Sequence, residues 1–237
     1  MEGSKGRRRA LTGGAAGMED VVIIGAGGHG KVVLDILLAE DKYRPAGFVD
    51  NNPSLLDSYV CGLPVLGPIN SLPRLKRQRI RHAIIAIGDN RQRLAQGTLV
   101  AADGLELVTT VHPTASVSPR ATLGRGVVVA PGARVIVEAS IGDLAIVNTC
   151  AVVDHECVVG EAAHVAPGAV LAGRVRVGRG AFIGVGASVI QCRNVGEFAM
   201  VGAGAAVIHD VPDGATVVGV PARVIKSAPD GPGTPRL

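Results

Sequence analysis

From Val111 to Val207 every sixth position is Val, Ile or Leu, through seventeen consecutive units. Four positions after each of these sits a small residue, beginning Ala115, Ala121, Val127, Ala133 and ending Ala205, Val211. Arg193 alone breaks that second series. A helix of 3.6 residues per turn would scatter such positions around its whole surface. A fixed period of six instead predicts a parallel β-helix, in which each short strand lays one aliphatic and one small side chain inward. With three hexapeptides per coil and one strand spacing of rise, the prism comes to about 27 Å in height. Its open, stacked strands favour self-association along the prism axis.

Upstream the pattern is different. Val21–Ile24 and Ala83–Ile87 read as buried strands, Ala46–Val49 as another, and Leu63–Leu66 as a short extended piece. Between them Lys31–Ala39 and Asn90–Val100 read as helices, and Ser71 before Leu72-Pro73 predicts a capped helix running to Arg77. Alternating strands and helices mean a parallel sheet with crossover helices. The whole is therefore an α/β N-terminal half-Rossmann domain followed by a left-handed parallel β-helix. The expected divisions are a disordered basic tail at 1–18, an αβ domain at 19–107, the β-helix at 108–226 with Val217–Lys226 folding back as a cap, and a disordered tail at 227–237. The hexapeptide series itself is expected to end near Pro212.

Composition sharpens this picture. Aromatic residues make up 2% of the 237 and Trp is absent, as a narrow prism requires, because rings would overpack it. The 33 glycines are expected at corners that need positive φ. The net charge of +4 is local: Lys5, Arg7, Arg8 and Arg9 against Glu2 supply three of the four charges. Without that tail no basic footprint for nucleic acid remains. The tail lacks the apolar stretch of a secretory signal, and no apolar run is long enough for a membrane span. Cys61, Cys150, Cys157 and Cys192 form no CxxC pair, which reads as four reduced packing residues in a cytoplasmic protein.

Two stretches carry chemistry. Gly25-Ala26-Gly27-Gly28-His29-Gly30 follows a strand and opens a helix, and Asp50 ends the next strand. This satisfies the dinucleotide fingerprint, with helix-start N–H groups for a pyrophosphate and an acid for a ribose hydroxyl. No second half-sheet follows to hold a nicotinamide, so a nucleotide-diphosphate group is the more economical ligand. A tight strand-to-helix turn without a ligand is the plain alternative, but such a turn has no use for His29. The second stretch is Asp154-His155-Glu156, three ionisable residues in a row inside an apolar repeat. His155 lies two residues past an inward aliphatic, so it points outward at a corner. A neutral imidazole there is a natural proton acceptor near neutral pH. His164 lies half a coil away and meets His155 only across a subunit boundary. His82, His112 and His209 read as structural.

Together, GAGGHGK (Gly25–Lys31), IAIGDN (Ile85–Asn90), the run from Asn148 to Gly173, and GVPAR (Gly219–Arg223) resemble the sugar acyltransferases typified by the bacterial bacillosamine and perosamine N-acetyltransferases and the sialic acid O-acetyltransferases. The resemblance spans roughly residues 20–226. It implies acetyl-CoA-dependent N-acetylation of a nucleotide-activated amino sugar by direct transfer. His155 is then the general base, with Glu156 raising its basicity. Gly27, Gly28, His29, Asp50, Asn51 and Gly88 contact the nucleotide-sugar, and Asn148 and Asp154 lie near the acceptor. His164, Val185 and Ala203 contact acetyl-CoA, with the Gly173 N–H as an oxyanion donor. It also implies a homotrimer with sites between subunits and no metal. Cys157 points inward, so a covalent enzyme intermediate is disfavoured. Three other readings stand beside it. The first is O-acetylation of a sugar hydroxyl of the sialic acid type. The second is a nucleotide-sugar-binding protein without catalysis. The third is a zinc lyase resembling the γ-class carbonic anhydrases, for which only His155 and His164 are suitably placed and three imidazoles are needed.

Overall fold

The structure, a computed structural model, describes residues 18–227; the expected tails at 1–18 and 227–237, apart from Met18 and Ser227, lie outside them. The N-terminal part is built on a four-stranded parallel sheet. Its strands are β1 (Asp20–Ile24), β2 (Arg44–Val49), β5 (His82–Ile85) and β6 (Glu106–Leu107), in the order β2-β1-β5-β6. Val21–Ile24 and His82–Ile85 are buried along their whole length, which is why Val21–Ile24 and the run from Ala83 read as continuously apolar rather than alternating. The crossover helices are α1 (Gly28–Glu40) and α3 (Asn90–Ala102). The Asp89 carboxylate starts α3 by accepting the Gln92 N–H at 2.8 Å.

Two local expectations change. The extended piece at Leu63–Leu66 is half of a hairpin, β3 (Tyr59–Val60) against β4 (Leu63–Pro64). The helix α2 (Leu72–Arg77) forms, but the Ser71 side chain does not cap it. Ser71 closes a 3₁₀ turn, Ile69–Ser71, and already has helical dihedrals, so its hydroxyl is not aimed at the following N–H groups.

Beyond Leu107 the chain winds into a parallel solenoid of two-residue strands on three faces. The first face carries Thr110–Val111, Val128–Val129, Ile146–Val147, His164–Val165, Phe182–Ile183 and Met200–Val201. The second begins with Ser116–Val117 and the third with Thr122–Leu123, and each strand pairs with the one eighteen residues on. The aliphatic and small series form one continuous core, with Val129, Val147, Val165, Ala133, Ala151 and Ala169 fully buried. Cys157 fills its small-residue slot as expected, its thiol donating to the Ala172 carbonyl.

Glycine has two uses here, only one of them foreseen. Eight corner positions with positive φ between Glu138 and Phe198 hold residues other than glycine, so the left-handed turn does not by itself demand it. At Gly142, Gly160 and Gly178 the φ is ordinary, but a Cβ would meet the backbone N of the next coil at 2.6–2.7 Å. Those glycines let the coils stack. The series also runs past Pro212: Val201 pairs in parallel with Val217, sixteen residues on, so Val217, expected in the cap, belongs to a further coil strand, and only Arg223–Lys226 folds back antiparallel.

The sheet domain sits on the first face, where Val128, Ala130 and Ile146 join the core containing Val21, Val33 and Ile84. The seam is fastened by Arg93, which is fully buried. Its guanidinium donates to the carbonyls of Leu144 (2.8 Å) and Ala162 (2.7 Å) on the solenoid. On its own side it donates to Ile87 (2.8 Å), Gly88 (3.1 Å) and the Asn90 Oδ1 (2.7 Å). Burial brings its pKa down to about 10, opposed by Asp89, so it stays cationic at neutral pH. Arg93→Met should lower the unfolding free energy by about 3 kcal/mol or more, because buried carbonyls lose their donor. Denaturant titration measures this, and an unchanged midpoint would mean that apolar contact alone joins the two parts.

Candidate functional site

The glycine loop lies at the carboxyl end of β1, where open parallel sheets bind ligands. Gly25 has φ +106°, and a Cβ there would stand 2.8 Å from the Ala86 carbonyl. A Cβ on Gly30 would run into the Gly25 carbonyl, so that glycine lets α1 approach the strand. Gly27, Gly28 and Gly88 are different: a side chain on any of them would meet nothing within 4 Å. No positive φ explains them either, so what they leave open is space beside a cavity of about 330 Å³. Gly27, Gly28, His29, Asp50, Asn51 and Gly88, six positions taken from sequence, all line that cavity. Asp50 also holds the loop, accepting the Ala26 N–H at 2.7 Å and the Asn52 N–H at 2.8 Å. Asn51 accepts the Ile69 N–H at 2.9 Å.

His29 connects the cavity to the solenoid. Its ring lies 6.3 Å from that of His164 on the first face, and His164 Nε2 lies 3.0 Å from the Asn148 amide nitrogen. Phe182, one coil on, packs edge-on against His164. Burial, reinforced by the Arg93 charge, lowers His29 to about 4. The same causes, with His29 itself adding to them, lower His164 to about 3. Both imidazoles are therefore neutral at pH 7. His29 Nε2 and His164 Nδ1 are buried without a hydrogen-bond partner.

His155 and Glu156 form a separate group at the edge between the second and third faces. The Asp154 carboxylate accepts the His155 N–H at 2.7 Å and shapes that corner. His155 Nδ1 lies 2.9 Å from Glu156 Oε2, which also accepts from Arg174 Nε at 3.0 Å. Hydrogen bonds from Arg174 and then His155 hold the Glu156 carboxyl below its ordinary range. A charged acceptor fixes the proton on Nδ1 and leaves the Nε2 lone pair free. Gly173 lies under the imidazole, and a Cβ there would collide with His155 Nε2. Val185 and Ala203 stack one coil apart at the edge between the first and second faces, and Val185 is half exposed.

One chain therefore holds two separated groups. The cavity, His29, His164 and Asn148 belong to the first face and the domain upon it. His155, Glu156 and Gly173 occupy the edge opposite that face. His82 is remote from both, at the start of β5 between Glu19 (3.4 Å) and Glu106 (3.6 Å). Gln92, Gln96, Ile69 and Ile87 also line the cavity and were not foreseen; two glutamines four apart on a helix look like a solvated face. Cys61, Cys150 and Cys192, expected as packing residues, are exposed because each sits at a turn with positive φ. Among the described residues no cluster of three or more His, Cys, Asp or Glu is placed to hold a metal. Among them, too, no helix is long and apolar enough to cross a membrane.

Residues 20–96 match the family model of the PglD N-terminal domain. The chain is 45% identical to perosamine N-acetyltransferase from Caulobacter crescentus, solved as a histidine mutant in complex with CoA and GDP-perosamine. That likeness covers 90% of this chain and 99% of the other, with a TM-score of 0.84. It is 39% identical to the acetyltransferase domain of PglB from Neisseria gonorrhoeae FA1090, solved with acetyl coenzyme A, over 88% of this chain and 100% of that one, with a TM-score of 0.82. UDP-N-acetylbacillosamine N-acetyltransferase from Bacillus subtilis (strain 168) is 37% identical over 117 residues, 47% of this chain and 51% of the relative, so that match spans about half the relative's length.

The two neutral histidines make stability depend on pH. Their folded values lie below 6.5, so from that pH down to about 4 for His29 and about 3 for His164 the unfolded chain binds protons that the native state refuses. Stability is complete above pH 6.5 and declines as pH falls through that window. Thermal melts from pH 7.5 to 4.5 should show the decline, with a shallower slope in His164→Gln. An equally steep slope in the variant would place the acid sensitivity elsewhere.

Proposed function

The chain belongs to the family of hexapeptide-repeat amino-sugar N-acetyltransferases, and from that premise we propose that it transfers acetyl from acetyl-CoA to the amine of a nucleotide-linked deoxysugar. The observation that carries this reading is the His155 imidazole, with Nδ1 tied to Glu156 and Nε2 free above Gly173. It is an arrangement for taking one proton from an incoming nucleophile. In this proposal the acceptor nitrogen forms its bond to the thioester carbonyl carbon while His155 Nε2 removes its proton. The oxyanion is met by the Gly173 N–H. Collapse breaks the C–S bond, and His155 returns the proton to the departing sulfur. No group of the enzyme is acylated. Among the described residues the thiol nearest in sequence, Cys157, is buried and bonded inward.

The opposed placement of base and cavity supports sites shared between copies, as in a homotrimer in which His155 of one copy faces the first-face cavity of the next. The glycine cradle favours a nucleotide-linked acceptor over a free sugar hydroxyl, with the diphosphate at Gly27 and Gly28, His29 beside it, and Asp50 and Asn51 toward the ribose. Asn148 and Asp154 border the acceptor. The acyl donor runs past His164 and along the edge carrying Val185 and Ala203. Exposed, unpaired thiols at Cys61, Cys150 and Cys192 suit a reducing, cytoplasmic setting. Nothing in this proposal calls for a metal, a nucleic acid or a membrane.

Thiol release from acetyl-CoA with UDP- and GDP-linked 4-amino-deoxysugars tests the reaction. His155→Ala should lower kcat by about 10²–10⁴-fold. Release with a free sugar hydroxyl alone would favour O-acetylation, and undiminished turnover by the variant would remove His155 as the base. Gly173→Ala should keep its melting temperature yet lose on the order of 10²-fold in kcat, because the ring above must move.

A further inference from the structure

A residue with a Cβ is disfavoured at positive φ, and glycine fills most such corners between the first and second faces: Gly132, Gly168, Gly186 and Gly204, with Cys150 the exception. Between the second and third faces the choice is reversed. Four successive left-handed corners there are Glu138 (φ 60°), Glu156 (56°), Arg174 (62°) and Cys192 (59°), and none is glycine. This is the edge that carries His155, and unfavourable backbone gathered at one place points to use. Arg174 is the single cation of the four. Its Nε donates to Glu156 Oε2 at 3.0 Å, the same oxygen that lies 2.9 Å from His155 Nδ1. Its backbone N–H donates to the His155 carbonyl at 2.9 Å, so one residue holds both members of the pair. Glu138, one coil to the other side, adds a second negative charge to the column.

Resting on the acetyl-transfer reading above, we infer that Arg174 is a positioning residue for the base: it clamps the Glu156 carboxylate against His155 Nδ1 and so keeps Nε2 aimed over Gly173. Glu156 is half exposed and sits at a corner. Without the arginine its carboxylate would keep the one bond to His155, with water and the Glu138 charge drawing it elsewhere. A second, charge-assisted donor on the same oxygen leaves it one orientation. Arg174 itself touches no reacting atom and acts through Glu156. The clamp is a product of coil stacking, since residue 174 stands one coil from residue 156.

Steady-state kinetics of the whole protein test this, with acetyl-CoA and the UDP- or GDP-linked 4-amino-deoxysugar that supports turnover. Arg174→Met should lower kcat about tenfold, as a misplaced base does, with both KM values within about twofold of wild type. Its melting temperature should not move, because an exposed ion pair adds little to stability. Arg174→Lys should recover most of the rate, since the contact is one donor on one oxygen rather than a fork. In a Glu156→Ala background Arg174→Met should lower kcat by less than about twofold further, because the carboxylate it acts through is gone. An undiminished kcat in Arg174→Met, or an equal loss in both backgrounds, would overturn the assignment while leaving His155 as the base. A loss confined to the KM of acetyl-CoA would overturn it too and make Arg174 a contact of the coenzyme phosphates. No turnover by wild type with any of these sugars would fail the acetyl-transfer reading itself, and Arg174's role with it.

Discussion

Residue n rests on residue n + 18, and most of the structure follows from that constraint. Each two-residue strand is too short to hold itself, so it is held by the coils above and below through backbone hydrogen bonds. The stacking then dictates what can be side by side. His155 lies on Gly173, Glu156 meets Arg174, and Val185 meets Ala203, in each case one coil apart. The same rule places surface ion pairs such as Arg125–Asp143 and Arg179–Glu161 along the edges. It also keeps His155 away from His164, because nine residues carry the chain half a coil around.

The parts of this arrangement that repeat were legible in the sequence, and the parts that occur once were not. A period of six over seventeen units leaves little freedom, so the three faces, the inward Cys157 and the outward His155 could be read directly. The glycine loop was legible for a related reason: a strand, a turn and a helix start occur in a fixed order, and Gly27, Gly28, His29 and Asp50, named from it, line one cavity with Asn51 and Gly88, which the family resemblance supplied.

Arg93 was missed because its partners lie 51 and 69 residues away and are carbonyls, which leave no trace in side-chain identity. Gln96 was missed because the cavity walls beside it, Ile24, Val49 and Ile69, lie far from it in sequence. Ser71 misled because a 3₁₀ turn had already used the position where its cap would form. The three exposed cysteines misled in the opposite direction: a cysteine at a left-handed corner is indistinguishable by composition from one in a core slot. The pairing of β3 with β4 depends on the turn at Cys61-Gly62, whose two residues both take positive φ.

The last coil is two residues shorter than the others, and the chain then reverses on itself. A solenoid whose coils were all alike would present at its end the same template that it presents within, and another chain could continue it indefinitely. Shortening one turn spoils that template. The Ala206 N–H, which a further parallel coil would otherwise use, is taken by the Gly219 carbonyl, and Ala222 donates back to Ala206. The molecule thus carries its own stop mark: at this end the growth along the axis that open, stacked strands favour is ended by geometry.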